Sequence, residues 1–134
     1  MAQDQEVLML IEIDYRDKRP IYEQISSKME GLILRGIIGP DEALPSVRSL
    51  AMDLSINPNT IQKAYDNLEQ RGFCYSVAGR GRFAENASQV MPQRRKEFFD
   101  EMGNLLNKAD TLCLDEKEVL DFVKKHFKGR KEEK

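Results

Sequence analysis

A chain with one histidine and two cysteines has little from which to build metal or covalent chemistry. His126 lies near the end of the 134 residues, and Cys74 and Cys113 stand far apart with no C-x-x-C pair. That set offers no metal-ligand spacing and no nucleophile–base partnership, so no enzyme, metal centre or cofactor is expected. Both cysteines read as small apolar fillers kept reduced. Long apolar runs are missing as well: none approaches the ~20 residues that a membrane-crossing helix needs. The opening M-A-Q-D-Q-E is acidic and polar, unlike a signal peptide, which points to a cytoplasmic protein with no membrane partner. Nor is there a global excess of positive charge. The net charge is −2 and the pI ≈ 5.5, so bulk electrostatics announce no nucleic-acid partner.

What is present is the composition of a globular chain, 40% hydrophobic and 33% charged, long enough for one compact domain or a small domain with an appendage. Charge is informative only locally. Between Leu44 and Phe83, Arg48, Lys63, Arg71, Arg80 and Arg82 face Asp53, Asp66 and Glu69, a surplus of two positives.

Periodicity orders the elements. Val7–Ile13 is a short apolar run suited to a strand or an extended arm. After Pro20, a good first-turn residue, Ile21, Tyr22, Ile25, Met29, Leu32 and Ile33 form the stripe of an amphipathic helix that ends near Gly36. The run I-I-G-P-D-E-A-L-P cannot be helical and reads as an extended connector. Ser46 caps a second helix with Val47, Leu50, Ala51 and Leu54 on one face. After a tight S-I-N break, Asn57 caps a third with Pro58 at its first position, and Gly72 closes it. Phe73–Val77, the turn A-G-R-G-R and Phe83–Ala84 make a short hairpin with a basic tip.

Three helices followed by a hairpin is the layout of a winged helix-turn-helix. The fold class is therefore α+β and mainly α, with this domain over residues 1–85. Residues 86–134 read as a polar hinge, N-A-S-Q-V-M-P-Q, and a two-helix tail. The first tail helix carries Phe98, Met102, Leu105, Leu106 and Ala109. The second starts at Asp115, with Glu118 three residues on, and carries Val119, Phe122, Val123 and Phe127. The final K-G-R-K-E-E-K reads as frayed. Two short amphipathic helices need another surface for their apolar faces, the domain body or a second chain.

On the third helix Ile61, Ala64, Tyr65 and Leu68 face inward, which leaves Asn59, Gln62, Lys63 and Asp66 outward. Amides on such a face suit base edges, Lys63 suits a phosphate or a guanine, and Thr60 at the helix start, with free backbone N–H groups, suits a phosphate oxygen. Arg48 sits in the first turn of the second helix, where a cation is disfavoured unless a phosphate or carboxylate meets it. At the hairpin tip Gly79 and Gly81 permit tight curvature, and Arg80 and Arg82 project charge. The acidic pI keeps one alternative in view, a winged helix that docks a protein instead of DNA.

The segments P-I-Y-E-Q-I, L-P-S-V-R-S-L-A, N-P-N-T-I-Q-K-A-Y, L-E-Q-R-G-F and G-R-G-R-F, in order from about Asp14 to Ala84, resemble the N-terminal domain of GntR-type bacterial transcription regulators. The N-P-N-T-I-Q-K-A-Y form with a short helical tail is similar to the YtrA subfamily. The resemblance implies DNA contacts by Arg48 in P-S-x-R, by Asn57, Asn59, Thr60 and Gln62 with Lys63 a further candidate, and by Gly79 flanked by Arg80 at the minor groove. Some members carry arginine where this chain has Pro58 or Gln62, so their base preferences do not transfer. Residues 86–134 are too few for the effector or aminotransferase-like domains of larger relatives, and in this subfamily the two tail helices serve dimerisation. The implied protein is a homodimeric repressor of its own operon, often a transporter operon, on a near-palindromic double-stranded operator. A small-molecule effector near Phe98 and Phe99 is compatible with the pattern, but no spacing identifies one.

Overall fold

The computed structural model describes Val7 and residues 10–132. The helices are α1 (Ile21–Leu34), α2 (Val47–Leu54), α3 (Pro58–Gln70), α4 (Ala87–Leu106) and α5 (Glu116–Glu132), with strands β1 (Cys74–Val77) and β2 (Gly81–Ala84) between α3 and α4. This is a mainly helical winged helix-turn-helix. Contacts divide the chain into two compact units, one up to Gln93 and one from Arg94.

In the first unit the inward stripe of each helix is the one its spacing predicts. Ile25, Met29, Leu32 and Ile33 of α1, Leu50 and Ala51 of α2, and Ile61, Ala64, Tyr65 and Leu68 of α3 are buried with Phe73, Cys74 and Ala84 in one core. Two polar residues of α1 join them. Gln24 is consumed in closing the loop before the helix, since its amide donates to the carbonyls of Asp14 and Arg19 and its Oε1 accepts from the Asp14 N–H. Ser26 donates to Asn67 and accepts from Arg71, which also pairs with Glu30 at 2.5 Å. That network ties the end of α3 to α1 and uses Arg71 as an internal fastener. The chain leaves α3 through Gly72 at φ 86°, a left-handed position that favours glycine.

The start of the chain differs from the expected strand or arm. Val7 and Leu10 have helical backbone, residues 11–13 have no regular structure, and Val7 and Ile11 are both buried. Leu8 and Met9 of the same run lie outside the described residues.

The hairpin pairs antiparallel with Cys74 opposite Ala84 and Val77 opposite Gly81. The connector after α1 supplies a further edge: Ala43 bridges Phe83, and the N–H groups of Asp41 and Leu44 donate to the carbonyls of Ala84 and Arg82. Tyr75 fastens the same layer by donating to Asp41 at 2.6 Å, a bond that raises the phenol pKa. Cys74 is the apolar filler expected of it, and burial pushes its thiol up to about 12. Cys113 is not a filler. It is exposed, with φ 56°, in the turn between α4 and α5.

The predicted hinge is helical. Asn86 accepts from the N–H and hydroxyl of Ser88 and so caps α4 at its first turn, and Val90 packs on the core. Pro92 lies inside this helix and removes one internal hydrogen bond without ending it. At the far end α5 runs through the supposedly frayed segment to Glu132, while Ala109 falls in the turn after α4. Asp115 caps α5 as its spacing predicts, accepting from the Glu118 N–H at 2.9 Å. No residue of α4 is buried. Among the described residues no helix is long and apolar enough to cross a membrane.

The Tyr65 hydroxyl donates to the carbonyl of Pro45 at 2.7 Å in the buried core. Tyr65→Phe leaves that carbonyl without its partner and is expected to cost about 1–2 kcal/mol in urea denaturation. A loss under a few tenths would show that the bond does not hold α2 to α3.

Candidate nucleic-acid interface

The second helix begins where Tyr65 holds it. Pro45 precedes Ser46, whose Oγ accepts from the Ser49 N–H at 3.0 Å and starts α2. Arg48 is therefore in the first turn, beside the positive end of the helix dipole. It is exposed, and its guanidinium makes no hydrogen bond or ion pair with another described residue. No carboxylate among those residues lies within ion-pair distance of it, so the position is open to an external anion.

Ser55, at φ 54°, turns the chain from α2 into α3. Asn57 then caps α3: its Oδ1 accepts from the Asn59 N–H at 2.8 Å, and its carbonyl accepts from the Thr60 N–H at 2.9 Å. Pro58 has no N–H to offer. The expected phosphate grip by free backbone groups is thus corrected, because the cap has already taken them. Thr60 retains a half-buried hydroxyl as its means of reaching an anion.

Along the outward face Asn59, Gln62, Lys63 and Asp66 are all exposed. Their roles separate. The Asn59 side chain has no partner among the described residues. Lys63 reaches back, its Nζ 4.2 Å from the centroid of the Tyr22 ring on α1, a contact that periodicity does not reveal. Gln62 donates to Asp66 Oδ1 at 3.0 Å.

The two wing arginines also part company. Gly79 adopts φ 74° in a turn closed by the Arg80 N–H on the Val77 carbonyl at 2.9 Å, and Arg80 at the tip is exposed with no side-chain partner among the described residues. Arg82 does not project. Its side chain is 15% exposed, pairs with Asp66 and Glu69, and lies over the Tyr65 ring at 5.7 Å. Ser76 of β1 also donates to Glu69, so the hairpin is stitched to the outward edge of α3. Side chains with two available carboxylates one helical turn apart fold onto them; an i, i+3 acidic pair beside a strand arginine was the signal available in the sequence.

Residues 21–83 match the model of "Bacterial regulatory proteins, gntR family". The HTH-type transcriptional repressor YtrA of Bacillus subtilis is 43% identical over 93 residues, 69% of this chain and 72% of that protein. The chain belongs to the GntR family. Among solved structures, a GntR family transcriptional regulator from Listeria monocytogenes aligns with TM-score 0.66 at 31% identity, covering 84% of this chain and 98% of that one. The DNA-binding domain of AraR in complex with operator ORX1 aligns with TM-score 0.51 at 29% identity, over 55% of this chain and 95% of that one. GntR proteins of this kind are transcription regulators rather than enzymes.

Asn57 is engaged in the cap whatever else α3 meets. Asn57→Ala is expected to lower stability by about 1 kcal/mol in thermal or urea unfolding of the free protein. An unchanged midpoint would mean that the cap bond contributes nothing.

Proposed function

We propose that this GntR-family protein is a DNA-binding transcription regulator that acts as a homodimeric repressor of its own operon from a near-palindromic operator. The observation that carries DNA binding is Arg48, a solvent-exposed cation at a helix N-terminus with no carboxylate to meet it among the described residues. Such a site is stabilised by a phosphate. Asn59 and Gln62 on the neighbouring helix present amides to base edges, Thr60 and Lys63 lie alongside them, and Arg80 beside Gly79 supplies the wing contact. The complex of AraR with its operator supports this use of the domain.

Dimerisation by the tail rests on apolar surface that the second unit does not cover itself. Phe98, Leu105, Leu106 and Phe122 are exposed, and Met102, Val119 and Val123 are half-buried. Leu105, Leu106, Leu112, Leu114 and Phe122 line an open groove of ≈ 460 Å³. Burying such side chains against a second copy gains roughly 1.5–3 kcal/mol apiece. A cytoplasmic location and a transporter operon as target belong to the same proposal.

Phosphate contacts set register and base contacts set sequence, so the two kinds of variant separate. Arg48→Ala is expected to weaken operator and random DNA alike and to reduce the slope of log affinity against log salt by about 1 per protomer. Gln62→Ala is expected to relax preference at one base pair of each half-site. Titrations of the protein's own upstream DNA and of random duplex across salt concentrations check both, and wild-type protein that does not distinguish the two duplexes defeats the assignment. For the dimer, Phe122→Asp is expected to shift sedimentation from dimer to monomer; a monomeric wild type would refute the tail's role.

A further inference from the structure

Asp66 is the meeting point of the recognition face and the wing. Its Oδ1 accepts from Gln62 Nε2 at 3.0 Å and from the Arg82 guanidinium, and the same arginine reaches Glu69. A carboxylate paired to an arginine is an acceptor only. It can therefore face only the NH₂ end of the Gln62 amide, which fixes which end of that side chain points at the pair and which is left for a ligand. The end left over is the carbonyl oxygen, Oε1.

We propose that Asp66, held by Arg82, is a positioning residue that locks Gln62 with its carbonyl outward, so that Gln62 reads the amino group of a base in the major groove. This rests on the DNA-binding reading above and adds the polarity of one contact to it. An unrestrained glutamine offers a donor and an acceptor and adapts to several base edges. With one NH₂ hydrogen taken by Asp66, the oxygen turned away from the pair is an acceptor, and the groups it can meet are the adenine N6 or cytosine N4 amino hydrogens. The second NH₂ hydrogen remains a donor, suited to a neighbouring acceptor such as adenine N7. Guanine O6 and thymine O4 are acceptors and would face that oxygen lone pair to lone pair.

The same geometry assigns Arg82 a different task from Arg80. Without Arg82, Asp66 and Glu69 would stand as two carboxylates on the edge of a helix that has to approach phosphates. Arg82 also spans β2 and α3, so this one wing residue orients Gln62 through Asp66 without touching DNA itself, while Arg80 at the tip keeps the wing contact. Sequence alone pairs Gln62 with Asp66 at i, i+4, but not the arginine that makes the pairing one-directional.

The test begins with duplexes selected from a random pool by the wild-type protein and by Gln62→Ala, which identifies the base pair that Gln62 reads. At that pair the amino-bearing base, adenine or cytosine, is replaced by its deamino analogue, purine or pyrimidin-2-one, and affinities are compared by fluorescence anisotropy. Wild type is expected to lose about tenfold on the deamino duplex, and Gln62→Ala, the control for altered duplex stability, is expected to lose nothing further. Asp66→Asn, isosteric and on an exposed side chain, is expected to shrink the wild-type penalty at that same pair while leaving affinity for random DNA equal or higher. Wild type indifferent to the missing amino group overturns the inference. So does Asp66→Asn if it changes nothing or relaxes a different base pair, the latter meaning that Asp66 reads a base itself. A wild-type protein that enriches no motif overturns the regulator reading, and this inference with it. A motif that Gln62→Ala leaves intact overturns this inference alone.

Discussion

The buried phenol of Tyr65 joins every element that forms the outward face. Its ring lies in the core of α3, its hydroxyl holds the carbonyl of Pro45 just before α2 begins, its backbone carbonyl receives the Cys74 thiol at 4.0 Å, and Arg82 of the hairpin lies over its ring. One residue thus locates the start of α2, the first strand and the return strand relative to one helix. A recognition surface made from three separate segments has to be held to fractions of an ångström to match base edges, and a fully buried hydrogen bond sets distance and angle better than apolar contact alone. The far end of α3 is fixed independently, through Arg71 to Ser26 and Glu30 on α1. Between these two anchors α3 has little freedom to roll.

Those fasteners change the meaning of the charge. Of the five cations between Leu44 and Phe83, Arg71 and Arg82 are spent inside the fold. The cations left toward solvent are Arg48, Arg80 and Lys63, the last leaning on Tyr22. Arg82 in turn offsets Asp66 and Glu69, so the face of α3 is less acidic than its sequence. A count of basic residues would have placed the positive surface along the wing. The structure leaves it at the start of α2, at Lys63 on α3 and at the tip of the hairpin.

Much of the first unit was legible in the sequence because its elements are bounded by residues with one dominant role. Ser46 and Asn57 are caps, Gly72 is a left-handed exit, and the apolar stripes of α1 and α3 have helical spacing; in the second unit Asp115 was a legible cap for the same reason. What was not legible follows from contacts between residues distant in the chain. The carboxylates that draw Arg82 back onto α3, Asp66 and Glu69, stand a whole strand and turn away from it in the chain, and nothing near Lys63 points to Tyr22. The N-A-S-Q-V-M-P-Q segment was misread because its polar composition and proline outweighed the cap at Asn86. Val7 and Leu10 were misread because a short apolar run fits a strand as well as a helix until its buried side is known. The free N–H groups assigned to the start of α3 were lost to the same asparagine that was correctly read as its cap. That is a conflict between two roles for one residue, and the local one prevailed.

The sparse positive surface bears on how such a protein could discriminate. A net charge of −2 and only Arg48, Lys63 and Arg80 as exposed cations between Leu44 and Phe83 give little non-specific attraction for DNA along this face, since that attraction grows with the number of phosphates neutralised. On the proposed reading, affinity for a true site would come from base contacts and from pairing two domains. A single winged helix with so few phosphate contacts would hold a half-site weakly. Two, joined through a common tail, would turn the second contact into an intramolecular one and multiply the weak affinities. In the proposed dimer the apolar groove of the second unit and the restrained charge of the first would be complementary: the less each domain clings to any DNA, the more binding would depend on the pair.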